Sequence, residues 1–186
     1  MTVELRCDIA RGRGNARALK ADALRLLRLS ALEECELSLM IVGDRAMRSL
    51  NRRFRGKDRP TDVLSFSQLE EVARAGMRGR IPGNRPTSMV KAAPGRLLGD
   101  VVISIETARR QAREMDVPVA KRLRTLLVHG FLHVLGYDHE RSAAAAKTMF
   151  ARERKLIAMF ERVDDTAAAP VRAPAARARA RTGARR

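Results

Sequence analysis

Over residues 3–9 apolar and charged positions alternate, with Glu4, Arg6 and Asp8 set between Val3, Leu5, Cys7 and Ile9. A period of two sends alternate side chains to opposite faces of an extended chain, so this run predicts a first strand buried on one side. After a Gly-rich turn over residues 11–15 the period changes. Leu19, Ala23, Leu26, Leu27 and Leu32 recur at three- and four-residue spacing with Lys20, Asp22, Arg25 and Arg28 between them, the stripe of an amphipathic helix. Cys35, Leu37, Leu39 and Ile41 restore the alternation up to Gly43. Asp44 is then placed to cap a short helix that carries Met47, Leu50 and Phe54 and ends at Gly56.

Residues 63–66 and 98–105 are two more β-rich runs, bounded by Pro, Gly and Asp. Between them, residues 67–96 hold Gly, Pro, Ser and Asn with six Lys or Arg and no periodic core pattern, which predicts a long basic loop. Such a loop either lies over a substrate or is a tolerated surface insertion. Residues 107–115 predict a polar helix, and Val117-Pro118 starts another whose apolar positions Leu123, Leu126, Leu127, Phe131 and Leu132 run to Gly136 and should be deeply buried. A final helix over about 142–163 takes its apolar side from Ala143, Ala146, Met149, Phe150, Leu156, Ile157 and Phe160. Strands interleaved with helices place the chain in the α/β (α+β) class, as one domain over residues 1–163.

At 186 residues and 45% apolar composition the chain supports one ordinary core. Beyond Asp165 it is Ala, Pro and Arg with six arginines and no acid, which cannot build a core, so residues 164–186 are expected to be a disordered basic tail. Lys and Arg number 38 against 21 Asp and Glu, and taking the tail's six charges from the formal +17 still leaves +11. A polyanion, nucleic acid or an anionic surface, is the partner such a charge suggests; solubility or an Arg-rich codon usage is the plainer reading. Charges interrupt every apolar stretch, so neither a secretory segment nor a membrane span is expected, and a soluble cytoplasmic protein follows. Cys7 and Cys35 lie far apart outside any C-x-x-C pattern, which argues against a disulfide framework and for strand residues facing a core.

All three histidines of the chain fall within one short stretch, His129-Gly-Phe-Leu-His133-Val-Leu-Gly-Tyr-Asp-His139. His129 and His133 are one turn apart on the buried helix, the spacing that lets two imidazoles share a tetrahedral cation. Gly136 can end that helix in a left-handed conformation and turn His139 back toward the same point. Three neutral nitrogens leave a fourth position of Zn²⁺ open for water, whose pKa can then fall to near ~7. Asp138 is either a fourth ligand or a capping acceptor beside it. The spacing is similar to H-E-x-x-H-x-x-G-x-x-H of metzincin peptidases, with Gly130 in place of the general-base Glu and one extra residue before the last His. Without that carboxylate nothing in the motif takes the proton from the attacking water, so a peptidase would need a Glu from elsewhere in the chain.

The string H-G-F-L-H-V-L-G-Y-D-H resembles the signature of the YbeY family of bacterial metal-dependent endoribonucleases, which act in 16S ribosomal RNA maturation and ribosome quality control. Two more blocks are similar to that family: the thirteen residues from Phe54-Arg55-Gly56-Lys57-Asp58 through Val63-Leu64-Ser65-Phe66, and Leu98-Gly99-Asp100-Val101-Val102-Ile103-Ser104. The resemblance implies a small mixed four-stranded sheet packed against about five helices, with a zincin-like helix carrying the metal site. It implies one Zn²⁺ on His129, His133 and His139, His129 and Arg55 as catalytic residues, and Lys57, Asp100 and Asp138 as substrate or partner contacts. Arg55 makes chemical sense there, because a guanidinium forks onto phosphate oxygens. The implied partners are single-stranded 16S rRNA precursor and the small ribosomal subunit or its proteins. Ser67 departs from the family pattern, which commonly has Pro there. A zinc metallopeptidase and a non-catalytic ribosome assembly factor with a structural zinc are the competing functions. Aromatics at 3% predict recognition of the RNA backbone rather than of bases.

Overall fold

Two parallel strand pairs and one antiparallel pair make a single sheet. A computed structural model describes residues 2–69 and 95–168, so the expectations for most of the basic loop and for the tail beyond 168 lie outside the described residues. The strands are β1 (Thr2–Cys7), β2 (Glu36–Val42), β3 (Val63–Ser67) and β4 (Leu97–Ser104), in the order β1-β2-β4-β3. β1 and β4 flank β2 in parallel, while β3 runs antiparallel on the outer edge of β4. Parallel neighbours need a crossover, which α1 (Arg13–Leu29) supplies between β1 and β2. Among the described residues the remaining α-helices are α2 (Asp44–Arg55), α3 (Ile105–Glu114), α4 (Val119–Val134) and α5 (Ala143–Ala168). Among the described residues the mixed four-stranded sheet with five α-helices is the α/β architecture expected.

One face of the sheet carries the main core. Val3, Leu37, Leu39, Ile41, Val101 and Ile103 pack there against Leu19, Ala23, Leu26 and Leu27 of α1 and Leu123, Leu127 and Phe131 of α4. A smaller cluster on the other face joins Val42, Leu64 and Val102 to Met47 of α2. The position at 130 fixes how close α4 comes: a Cβ there would stand 2.8 Å from Val101 Cγ1 and 3.0 Å from Ser65 Oγ. Only glycine lets the histidine helix lie this deep on β3 and β4.

Several boundaries differ from the sequence expectation, each for a local reason. The turn over residues 11–15 is shorter, because a 3-10 turn at Ala10–Gly12 leads directly into α1, so Gly14 and Asn15 are already helical. Leu32 lies past the end of α1 yet still packs on the core. Asp44 does not cap α2: Gly43 holds the cap position, and the Asp44 carboxylate instead accepts from Ser104 Oγ, Thr107 Oγ1 and Arg110 Nη1. It ties the start of α2 to the start of α3. Ile105, expected to end β4, opens α3, because Ser104 Oγ accepts the Thr107 N–H as an N-cap. Cys35 is buried just ahead of β2, whereas Cys7 is only half-buried on β1. α5 continues to Ala168 rather than ending near Val163.

β4 carries one irregularity that periodicity did not reveal. Glu36 pairs with Leu97 but Ser38 pairs with Asp100, so β4 holds an extra residue there and its inward phase changes at Gly99. Gly99 has φ 152°, and a Cβ on it would stand 2.2 Å from the Phe66 carbonyl oxygen. The bulge therefore requires glycine.

Candidate metal centre

α4 presents His129 and His133 on one side, one turn apart, as a 3.6-residue period dictates. Their Nε2 atoms stand 3.2 Å apart. Two nitrogens each about 2.0–2.1 Å from a tetrahedral cation would be separated by roughly 3.3 Å, so this spacing fits a shared ion. The third imidazole arrives by backbone geometry. Gly136 takes φ 86°, its N–H donates to His133 O at 2.9 Å, and the Tyr137 N–H donates to Leu132 O at 3.0 Å. That pair of bonds is a Schellman motif, which satisfies two terminal carbonyls and reverses the chain. One candidate ligand atom from each of His129, His133 and His139 then lies within 4.8 Å of the other two, so the cluster could hold a metal ion.

The surroundings keep the cluster ordered and ready to bind. Burial, followed by the neighbouring His129 and His139, pushes the His133 pKa down to about 4. It is therefore neutral near pH 7, the state a ligand needs. Asp138 Oδ1 accepts the Glu140 N–H at 2.8 Å and Asp138 Oδ2 pairs with Arg141 at 3.3 Å. Asp138 thus fixes the turn that carries His139. Phe150 of α5 lies nearly parallel to the His139 ring, with centroids 5.5 Å apart.

Glu153 is the residue that the sequence reading missed. Its Oε2 stands 3.0 Å from His129 Nδ1, so the carboxylate accepts that N–H and leaves Nε2 facing the other imidazoles. The signal for it was present: Met149, Leu156 and Phe160 are buried at helical spacing, and Glu153 stands in the same stripe, an acid on an apolar face. A carboxylate on the far nitrogen fixes the tautomer and raises ligand basicity. Glu153→Gln, which keeps an acceptor but loses the charge, is expected to weaken metal binding roughly 10-fold, and Glu153→Ala roughly 100-fold. Competition against a chelator measures both; equal affinity in all three proteins would reduce Glu153 to a packing residue.

The Arg-Gly-Lys segment reaches the same place from the other side of β3. Arg55, the last residue of α2, extends Nη2 to 3.3 Å from Glu140 Oε2, next to His139. Asn51, buried in α2, donates from Nδ2 to Arg59 O at 2.7 Å, and Arg48 forks onto Asp58 at 2.9 and 2.6 Å. Both hold the turn after α2, where Lys57 is exposed. Asp62 locks the start of β3 to α3 and α4 through Gln111 Nε2 at 3.0 Å and Arg122 Nη2 at 3.1 Å. Burial pushes its carboxyl up, but those hydrogen bonds, the Val63 N–H and the Arg122 charge together hold it below the usual range. Ser67 Oγ donates to Val134 O at 2.7 Å, tying the end of β3 to the end of the histidine helix. Asp100 is not brought to the histidines. It is half-exposed on β4 two residues before Val102, so it faces α2's side of the sheet while α4 packs on Val101's side.

Among the described residues no helix is long and apolar enough to cross a membrane. The family profile described as Endoribonuclease YbeY matches residues 13–161. Proteins named endoribonuclease YbeY are similar along most of the chain. The one from Anaeromyxobacter sp. (strain Fw109-5) is 44% identical over 84% of this chain and 70% of its own. That of Magnetococcus marinus is 42% identical over 70% and 82%, and that of Moorella thermoacetica 47% over 67% and 72%. A solution structure of a Thermotoga maritima protein shares the fold, with a TM-score of 0.54 at 24% identity over 84% of this chain and 87% of that one.

Proposed function

This chain belongs to the endoribonuclease YbeY family, and from that premise we propose that it hydrolyses phosphodiester bonds in single-stranded RNA at a zinc ion held by His129, His133 and His139. The observation that carries the reading is the convergence of three imidazoles, with Arg55 held on Glu140 next to His139. His129, His133 and His139 would hold the ion, which when bound would supply Lewis acidity and lower the pKa of water. Everything else is the work of the chain's own side chains. The His129 Nδ1–H donates to the Glu153 carboxylate, which holds the ring in place. Arg55 would leave Glu140 for the scissile phosphate, fork onto two of its oxygens and stabilise the charge that grows on them. Arg52, Arg53 and Lys57 extend that positive surface along the end of α2.

The substrate we assign is the 16S rRNA precursor in the setting of the small ribosomal subunit, in the cytoplasm, a context supported by the family resemblance of the three motif blocks. Lys57 would add a phosphate contact, and Asp100, on the other face of the sheet, is a candidate for a partner surface rather than for chemistry. A peptidase is disfavoured by the place of residue 130, where a side chain would collide with Val101 and Ser65 and a general-base carboxylate has no room.

Zinc-loaded protein should cut a structured RNA within its single-stranded ends and spare an unfolded protein. RNA binding should weaken with salt at a log-log slope of roughly −0.7 per phosphate contact. Proteolysis without RNA cleavage would reverse the assignment, and salt-sensitive RNA binding with neither activity would favour an assembly factor.

A further inference from the structure

Water surrounds few large apolar side chains here, and their positions are not random. Among the described residues Phe54 is 52% exposed, Met115 55% and Phe150 40%. The chain has five Phe, one Tyr and no Trp, and Phe131 and Phe160 are fully buried. Phe150 lies on His139 itself, and Phe54 directly precedes Arg55, whose guanidinium reaches Glu140, the residue after His139. Neither ring is loose. Phe54 is held edge-on by Phe66 with centroids 4.9 Å apart, and the Arg53 guanidinium stands 5.2 Å from its centre.

We propose that Phe54 and Phe150 are stacking platforms for unpaired nucleobases on the RNA strand whose phosphate Arg55 holds. The inference rests on the reading of the centre as a ribonuclease site and adds what selects the substrate. A rigid ring with an open face offers any base a π-surface, and Arg52, Arg53, Arg55 and Lys57 hold the phosphates that must accompany it. A duplex keeps its bases stacked on one another and cannot offer them. Single-strand preference then follows from two phenylalanines rather than from the metal ligands. The scarcity of aromatics elsewhere limits base contacts to the centre and leaves the remaining affinity to charge.

The absence of Trp makes the test direct. In full-length, zinc-loaded Phe54→Trp the new indole is the sole Trp emitter, and its emission should be quenched by a short unstructured RNA but not by polyphosphate, which has the charge without bases. RNA with abasic sites at the positions next to the cut should also fail to quench. Phe54→Ala is expected to raise KM roughly 5- to 100-fold with little change in kcat, and Phe54→Tyr to restore it. For Phe150, which also supports a histidine, Phe150→Tyr should keep KM near the wild-type value and Phe150→Leu should raise it, with metal content read on each preparation.

Equal quenching by polyphosphate, or quenching by lipid vesicles or an unfolded protein instead of RNA, overturns the proposal. So does normal cutting of RNA with no quenching and an unchanged KM in Phe54→Ala, a result that leaves the ribonuclease reading standing. If the wild-type protein neither binds nor cuts RNA, that reading fails and this proposal with it.

Discussion

His133→Ala is expected to lower RNA cleavage on the order of 10³-fold while leaving a folded domain. His133 is partly buried in the cluster: burial and its two neighbours push its pKa down to about 4, so it contributes a neutral nitrogen near pH 7. Removing it leaves two imidazoles and a gap where the 3.2 Å nitrogen pair stood. A cation held by two side chains exchanges more readily and has lost part of the geometry that acidifies water. Stability should change by no more than about 1 kcal/mol, because the ring is not part of the apolar core and its loss relieves a desolvated group. Single-turnover cleavage, zinc content and a melting curve on the same preparation separate these effects. Identical preparation of wild type and variant controls for a contaminating nuclease. A variant with full zinc and wild-type rate would remove the histidines from the chemistry.

Gly99→Ala is expected to be strongly destabilising, at about 3 kcal/mol or more. Two costs combine. The φ of 152° lies in a region that L side chains rarely adopt, and the added carbon would stand 2.2 Å from the Phe66 carbonyl oxygen, which is backbone and cannot step aside. β3 must then move away from β4. Because Ser67 at the end of β3 is bonded to Val134 at the end of α4, the displacement reaches the helix that carries His129 and His133. A drop in melting temperature of roughly 6–12 °C is expected, together with weaker zinc binding. Gly14→Ala is the matched control. Nothing lies within 4 Å of a Cβ there, so the same methyl should be neutral or stabilising by up to about 1 kcal/mol. Similar melting temperatures for the two variants would mean that the bulge relaxes freely.

What could be read from the residues alone is what depends on near neighbours in the chain. The alternation at Val3, Leu5 and Cys7, the stripe at Leu19, Ala23 and Leu26, and the buried run from Leu123 to Leu132 each follow from a fixed period, so β1, α1 and α4 were legible with their inward faces. The convergence of His129, His133 and His139 was legible for the same reason, since a helical turn and one glycine-terminated helix end bring them together. Contacts between distant segments have no such local signature. The strand order β1-β2-β4-β3, the bulge at Gly99, the service of Asp44 to α3 rather than to its own helix, the reach of Glu153 to His129 and of Arg55 to Glu140 all depend on which surfaces meet when the core closes. Close packing then decides what each contact permits: Gly130 is a step in the helix until the sheet lies against it, and only there does the missing side chain become the reason the histidines sit where they do.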